Sequence, residues 1–369
     1  MITVEEIKWG ENQFKYIKNF SEKEKLILKI YSETYFFKII NNFCNQIIDP
    51  KTILEYNFEE PLVNKYIEIN NLNIPENIKN KNYFIFVIDL IIMFINDLIN
   101  IINNSPPTPE LKVYRGTKNY YYSKDNNILI NYGFASTSNK QKIAYTFTGK
   151  KCCLFNVTIP KGTKCIYLSL LQLIDQNMKY DESEIVLSPY SSFKLEDINK
   201  YSKYSDIDEY NITYQESNNI YYNQFNVYKK LLLSIYFNND SNAIKEILIN
   251  NPININPFLL KLLYEKNLFN NEICDIILEK KIKIESDYIL YSINSKVDNS
   301  YIIKLIDTFK ELVLSKNLIN IVNVSMNNDN LEIIRYLNLY YTDYMDKYIN
   351  KSIKYKIKNW FNKFKFFNK

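Results

Sequence analysis

Three short stretches in the middle of the chain decide its fold: Leu111-Lys-Val-Tyr-Arg115-Gly116, Gly133-Phe-Ala-Ser136-Thr137-Ser138 and Asp181-Glu182-Ser183-Glu184-Ile-Val-Leu-Ser-Pro189. Each is a short apolar strand pattern that carries polar residues where the strand should end. Together they contain an arginine, a cluster of hydroxyl groups and a pair of carboxylates. The arginine can bind an anion, the hydroxyl groups can position other groups by hydrogen bonding, and the carboxylates can act as acid or base.

Residues 111–217 are predicted to form a compact β core. Short β-rich runs alternate with turns, and one short helix is expected at about 139–147. The predicted strands are 111–114, 152–159, 164–170, 184–188, 193–198 and 210–216. Four of the five glycines fall in this zone, at positions 116, 133, 149 and 162. Glycine permits a tight turn or a close approach of the backbone to a ligand, so this concentration indicates a cleft.

Residues 1–110 are predicted to be helical. Ser21-Glu-Lys-Glu is a capping box that starts one helix, and the proline-rich stretch Ser105-Pro-Pro-Thr-Pro109 ends the helical part. The apolar run from Tyr83 to Ile102 is long enough for a membrane-spanning helix, but Asp89 and Asp97 interrupt it. Because charge at the bilayer centre is costly, a buried amphipathic helix is the favoured interpretation.

Beyond the β core, residues 218–340 show a helical repeat. Four segments align without gaps, and their starts at residues 242, 271, 300 and 330 are 29, 29 and 30 residues apart. Each follows a second apolar helix, such as Leu259-Leu-Lys-Leu-Leu. Helix pairs at this period are typical of a solenoid. The units are similar to degenerate ankyrin repeats that lack the threonine-proline-leucine-histidine signature, and a plain helical bundle is the alternative.

The last segment, 341–369, is basic and aromatic. It is predicted to be a capping helix that lays its aromatic side chains over the last repeat. Contact with an anionic membrane surface or with nucleic acid is the alternative, since basic and aromatic residues suit both roles. No residue pattern reads nucleic-acid bases, and no specific nucleic acid is predicted as a partner.

The composition excludes several kinds of site. The chain of 369 residues has no histidine, which rules out serine–histidine and cysteine–histidine catalysis and histidine zinc sites. Five scattered cysteines lack metal spacing, so free thiols are expected and no metal site is predicted. Arg115 and Arg335 are the only arginines, and lysine serves elsewhere as the cation. The arginine at 115 therefore suggests that a planar five-donor fork is needed there.

In order and spacing, the three stretches resemble the arginine-serine-glutamate class of mono-ADP-ribosyltransferases, which includes bacterial toxin exoenzymes and vertebrate ecto-enzymes. Ile159-Pro-Lys-Gly-Thr163 lies between the second and third motifs, as in that family. The resemblance covers about residues 20–217. It implies an α+β fold in which N-terminal helices accompany two packed antiparallel or mixed β-sheets around an NAD cleft. The second domain would be the all-α ankyrin-like solenoid.

The resemblance also implies roles for the polar residues of the motifs. Glu184 would be the catalytic glutamate, because a carboxylate beside the ribose stabilises an oxocarbenium-like transition state. Glu182 would orient the acceptor, and a glutamate at that position favours arginine as the acceptor. If the chain is extended there, both carboxylates point to one side. Arg115 would bind the pyrophosphate, Gly116 would let the backbone approach the nicotinamide amide, and Ser136 would brace the glutamate.

Three tyrosines complete the predicted site. Tyr31 and Tyr35 belong to the stretch Tyr31-Ser-Glu-Thr-Tyr35-Phe-Phe-Lys-Ile-Ile-Asn41, which is similar to the family helix that precedes the active site. They are candidates for contact with the cofactor, and packing in an aromatic core is the alternative. Tyr180, in the loop before Glu182, is a candidate platform for the acceptor side chain.

The predicted function is transfer of ADP-ribose from NAD to a protein, with release of nicotinamide and without a metal. Residues 1–217 would form the transferase domain, and the repeats would select a host or cellular target protein. The N-terminus has no pattern of a signal peptide, so a cytoplasmic location is expected. An ankyrin-like array joined to an enzyme domain also resembles viral effector architecture. Two alternatives are open: an NAD glycohydrolase, and a non-catalytic ankyrin-type adaptor.

Overall fold

The computed structural model describes residues 3–56, 58–77, 80–117, 121–123, 127–148, 153–174, 183–199, 208–215, 224–251, 253, 255–280, 287–295, 297–342, 345, 349, 355 and 357. The chain divides into two compact units, residues 1–225 and residues 226–369. The first unit combines helices with a mixed β-sheet, and the second consists of helices in its described part. The mixed α and β content agrees with the fold class predicted from the sequence.

In the described part of the first unit, six helices precede the first strand. They are α1 (Val4–Lys18), α2 (Glu22–Glu33), α3 (Phe36–Cys44), α4 (Pro50–Glu55), α5 (Pro61–Ile69) and α6 (Lys81–Asn103). The predicted capping box starts α2: the Ser21 hydroxyl accepts from the backbone N–H of Glu24, whose carboxylate accepts from the backbone of Ser21. Two of the four orphan N–H groups at this helix end are thereby satisfied.

Helix α6 is long and apolar enough to cross a membrane by length and composition, but 56% of its most apolar 18-residue window is buried inside the protein. Its interrupting carboxylate Asp97 has protein partners. The Tyr66 hydroxyl donates to Asp97 at 2.6 Å, and the Lys23 ammonium lies 2.9 Å from the same carboxylate. Both observations are those of a core helix, as predicted.

Nine described strands form one mixed sheet in the order β2-β3-β8-β9-β5-β1-β4-β7-β6. The strands are β1 (Leu111–Thr117), β2 (Tyr121–Ser123), β3 (Ile128–Asn131), β4 (Ala135–Ser138), β5 (Cys153–Ile159), β6 (Ile166–Tyr167), β7 (Glu184–Leu187), β8 (Ser191–Asn199) and β9 (Asp208–Gln215). The predicted short helix is α7 (Gln141–Thr146), between β4 and β5. Strand β1 continues past Arg115, where it was predicted to end, because β5 pairs with it as far as Thr117.

The sheet consists of two strand groups that meet at a single described residue pair. Strand β1 pairs with β5 along its whole length, and β4 pairs with β7 from Ala135 to Ser138. Between β1 and β4 the register is set by Tyr114 opposite Ser138. The predicted division into two separate sheets is therefore not confirmed. Val113 from one group and Leu187 from the other belong to the same buried cluster, so both groups face a common core.

The second unit contains helices in two rows. The bounds of its helices, with α8 beginning just before the unit boundary, are α8 (Gln224–Leu233), α9 (Ser241–Asn250), α10 (Pro257–Glu265), α11 (Asn271–Glu279), α12 (Asp287–Asn294), α13 (Asn299–Thr308), α14 (Lys310–Asn327) and α15 (Leu331–Tyr340). A π-helical turn, Ser234–Asn238, follows α8. Helices α9, α11, α13 and α15 contact one another in succession, and α10, α12 and α14 do the same.

Polar side chains connect successive helices of the first row. The Asn271 amide donates to Asp298 at 2.7 Å, and the Asn330 amide donates to Asn299 at 2.7 Å. Stacked helix pairs agree with the period in the sequence. Their ankyrin-like identity is not confirmed. Most of the predicted tail, 341–369, lies outside the described residues.

Candidate active site

A cavity of about 380 Å³ lies where helices α2 and α3 meet strands β1, β4 and β7. Polar residues from all these elements line it: Tyr31, Asn41, Arg115, Ser136, Ser138 and Glu184. Aromatic side chains contribute as well, among them Phe37, Tyr114, Phe134 and Phe147. A mostly apolar wall with a few convergent polar groups is typical of a small-molecule site.

Arg115 is held by two neutral oxygen atoms. Its Nη1 donates to the backbone carbonyl of Ser136 at 2.7 Å, and its Nη2 donates to the side-chain oxygen of Asn131 at 3.0 Å. Burial lowers the pKa of Arg115, while nearby Tyr31 and Glu184 act in the opposite direction. Arginine is charged at any ordinary pH, so the cavity presents a fixed cation suited to a pyrophosphate.

Tyr31 connects α2 to the strand that carries the serines. Its hydroxyl lies 3.1 Å from the hydroxyl of Ser136, and its side chain is buried. Burial raises the pKa of Tyr31, and the carboxylate of Glu184 raises it further, so the phenol stays protonated. The next residue of the motif, Thr137, supports the strand by donating its hydroxyl to the Ile185 carbonyl at 2.8 Å.

Glu184 is the first residue of β7 and lines the cavity, as the apolar run after it predicts. Its cross-strand neighbour is Ser138. The backbone N–H of Glu184 donates to the hydroxyl of Ser169 at 2.8 Å, which fixes the point where the strand begins. The Glu184 side chain is half-buried.

The residue before Glu184 is not extended. Ser183 is buried and has φ of 49°, in the left-handed region that a residue with a side chain adopts at a cost of about 1 kcal/mol or more. Side chains alternate only along an extended chain. The condition for Glu182 and Glu184 to point to one side, an extended chain, is therefore not met at Ser183. Glu182 itself lies outside the described residues.

Two glycines are required by close contacts at the cavity wall. A Cβ atom added to Gly116 would overlap the carbonyl oxygen of Ala144 in α7, so α7 packs directly on the backbone of β1. At Gly133 it would lie 2.8 Å from the side chains of Asn41 and Asn45. Asn41 also accepts a hydrogen bond from the backbone N–H of Phe134 at 2.9 Å. This asparagine therefore holds the turn that leads into Ser136.

The structure brings five predicted site residues to this cavity: Tyr31, Arg115, Gly116, Ser136 and Glu184. Tyr35 is not among the described residues of the wall; its side chain is 55% exposed and its ring lies 5.0 Å from the Lys38 ammonium. Tyr180, like Glu182, lies outside the described residues. The structure shows a contact between the hydroxyl groups of Ser136 and Tyr31. The predicted contact between Ser136 and Glu184 stays a prediction.

Sequence reasoning missed two polar residues at the site, Asn131 and Ser169. Asn131 is one asparagine in a chain rich in asparagine, and Ser169 is a single serine in an apolar run, so neither carries a local signal. Asn131 and Arg115 also line a second cavity of about 190 Å³ that is otherwise mainly apolar. They therefore stand between the two cavities.

The residue set fits an anionic dinucleotide. The guanidinium of Arg115 is a cation at the cavity wall, and Glu184 lines the same wall. Among the described residues, no group of three or more side chains that ligate metals is found. NAD, with a pyrophosphate flanked by two riboses, matches this pairing of charges.

Neither a protein-family model nor a curated protein sequence matches the chain. Several solved structures of ADP-ribosyltransferase toxins are similar to it. The Vis toxin of Vibrio splendidus has 15% identity and a TM-score of 0.36, over 59% of this chain and 88% of that chain. The C3 exoenzyme of Clostridium limosum has 16% identity and a TM-score of 0.35, over 57% and 94%. For C3stau2 of Staphylococcus aureus, solved with NAD, the values are 16% and 0.34, over 58% and 97%. With TM-scores below 0.5, the likeness leaves the functional argument to the geometry of the site.

Proposed function

We propose that the chain is a mono-ADP-ribosyltransferase that transfers ADP-ribose from NAD to a protein and releases nicotinamide. One observation carries the proposal: Arg115, Ser136 and Glu184, which are far apart in the sequence, line a single cavity. A fixed cation, a hydroxyl and a carboxylate at one wall are the groups that cleavage of a dinucleotide at its ribose needs.

The residues divide the work between binding and catalysis. Arg115 holds the pyrophosphate, and the backbone at Gly116 lies next to the nicotinamide. Glu184 stabilises the positive charge that develops on the ribose as the bond to nicotinamide breaks and its electron pair leaves with nicotinamide. An acceptor then forms the new bond at the same ribose carbon and loses a proton. Tyr31, kept neutral by burial, orients Ser136 without adding charge.

Arginine is the proposed acceptor. The support is the residue type at position 182, because a second carboxylate near Glu184 would orient a guanidinium and accept the proton that it loses as it attacks the ribose. The second unit is proposed to select the target protein. The support is that its helices contact one another in two successive rows, an arrangement typical of repeat proteins, which use their stacked units for binding.

The test is incubation of the full chain with labelled NAD and a cell lysate, beside Glu184→Gln and Glu182→Gln. We expect labelled protein bands with the natural chain and loss of the label in both variants. Glu196→Gln is the matched control, since Glu196 lies on β8 beside Lys194 and does not line the described cavity. A label whose chemical stability matches that of an ADP-ribosyl-arginine bond would support arginine as the acceptor.

Two other outcomes decide between the alternatives. Free ADP-ribose without labelled protein would identify an NAD glycohydrolase, in which water is the acceptor. Absence of NAD turnover in every condition would exclude both enzymes and leave the helical unit as the functional part.

A further inference from the structure

We propose that Asn131 is a positioning residue, which fixes the guanidinium of Arg115 for the pyrophosphate of NAD without adding a negative charge beside it. The inference rests on the proposed function, because it concerns the same dinucleotide. It assigns a role to a residue that lies outside the three sequence motifs.

The side-chain amide of Asn131 is held at both ends. Its oxygen accepts from Nη2 of Arg115 at 3.0 Å, and its nitrogen donates to the backbone carbonyl of Gly133. Because an amide has one accepting end and one donating end, the bond to Gly133 determines which end faces the arginine. Asn131 is the last residue of β3, opposite Ser191 of β8, so the sheet fixes its backbone.

The second contact of the guanidinium comes from another strand. Nη1 of Arg115 donates to the Ser136 carbonyl on β4, while Asn131 lies on β3. Two acceptors on different strands fix a planar group in position and in rotation. Of the five N–H groups of a guanidinium, the bonds shown within the described residues use two. Bidentate binding of a phosphate needs two donors in this fixed plane.

The chemistry favours asparagine over aspartate at this position. Both protein acceptors of Arg115 in the described part are uncharged, so neither of these hydrogen bonds offsets the cation for an anionic ligand. An aspartate would make a better acceptor for the arginine, but its charge would pair with the guanidinium and repel the phosphates. Arg115 is half-buried, where a charge is screened less than in open solvent, so the difference is large.

The experiment compares the full chain with Asn131→Asp, which keeps the shape and the acceptor oxygen but adds a negative charge. We expect KM for NAD and Kd for ADP-ribose to rise at least about tenfold, with kcat within about threefold. Kd for nicotinamide riboside, which has no pyrophosphate, should stay unchanged. Asn139→Asp is the matched control: it adds the same charge on an exposed residue close to the site, whose amide donates to Tyr167.

Asn131→Ser, which shortens the side chain without adding charge, is the second variant and carries the test if Asn131→Asp does not fold. It should also raise KM for NAD and Kd for ADP-ribose, because the guanidinium loses one of its two supports. A lower melting temperature with unchanged KM and Kd in either variant would show a purely structural role and overturn the inference. Failure of the natural chain to bind NAD would instead overturn the proposed function.

Discussion

The hydroxyl of Tyr31 lies 3.1 Å from the hydroxyl of Ser136, so helix α2 and strand β4 meet inside the cleft. The Tyr31 ring also packs edge-on against Phe134, with ring centroids 5.5 Å apart. Helix α2 therefore contributes side chains to the cavity wall and also packs against the strand that carries Ser136. Because burial and Glu184 both keep the phenol protonated, this contact has a measurable pH dependence.

Tyr31→Phe removes one buried hydrogen bond and is expected to lower the free energy of unfolding by about 1 kcal/mol at pH 8. Above pH 10, the ordinary pKa of tyrosine, the unfolded natural chain loses this proton while the folded chain keeps it. The stability that the natural chain gains from the protonated phenol therefore falls as pH rises. The free energy of unfolding of the natural chain should therefore fall, relative to that of Tyr31→Phe, by up to about 1.4 kcal/mol per pH unit.

Chemical unfolding of both proteins at pH 8, 10 and 11 measures this difference in the free energy of unfolding. The other tyrosines with raised pKa values are shared by the two proteins, so their effects cancel in the difference. A difference that stays constant over this range would contradict the assignment of a neutral, buried phenol.

Ser169→Ala removes the acceptor for the backbone N–H of Glu184. The first residue of β7 then loses its anchor, and the carboxylate proposed to be catalytic is held less firmly. We expect kcat for NAD cleavage to fall about five- to tenfold, as loss of one hydrogen bond of about 1 kcal/mol suggests, with KM little changed. Ser169→Thr keeps the hydroxyl and should restore most of kcat. Equal rates for Ser169→Ala and the natural chain would rule out this anchoring role.

Gly116→Ala and Gly10→Ala should change the stability in opposite directions. At position 116 the new methyl group overlaps the backbone of Ala144, so α7 or β1 must move, at a cost of roughly 3 kcal/mol. Gly10 lies inside α1 with no atom within 4 Å of an added Cβ, and alanine there should stabilise the protein by about 1 kcal/mol. Thermal unfolding tests both, and a neutral Gly116→Ala would show that the contact with α7 is not tight.

A chain that ends at residue 225 should separate the two proposed activities. It contains every described residue of the cavity, so NAD cleavage and transfer to a small guanidine compound should continue at the rate of the full chain. Labelling of lysate proteins should fall sharply, because the second unit is proposed to bind the target. NAD cleavage serves as the test of folding. Identical labelled bands from both chains would remove target selection from the second unit.

Local rules in the sequence were sufficient for the elements with a strong signal. The capping box at Ser21 predicted the start of α2, and the apolar run from Tyr83 to Ile102 predicted α6. The order of the motifs placed Arg115, Ser136 and Glu184 at one site, because each lies within or at the start of a short strand that pairs near the cavity. These features depend on residues that are close in sequence or on a pattern of spacing.

The missed features depend on contacts that sequence spacing does not express. Strands β2 and β3 are only three and four residues long, and β3 is fixed by its pairing with β8, far along the chain. Asn131 lies on β3, so its contact with Arg115 was not predicted. The left-handed conformation of Ser183 is also set by its surroundings, since serine does not prefer it.

The junction at Tyr114 and Ser138 gives the cleft a mechanical property. Arg115 and Gly116 belong to one strand group and Ser136 and Glu184 to the other, and a single described backbone pair links the groups there. We expect this junction to act as a hinge between the two strand groups, because the strands within each group are paired over longer stretches. A ligand that contacts both Arg115 and Glu184 would connect the two strand groups across that hinge. Substrate binding should therefore stiffen the cleft, and slower hydrogen exchange in β1 and β4 would report it.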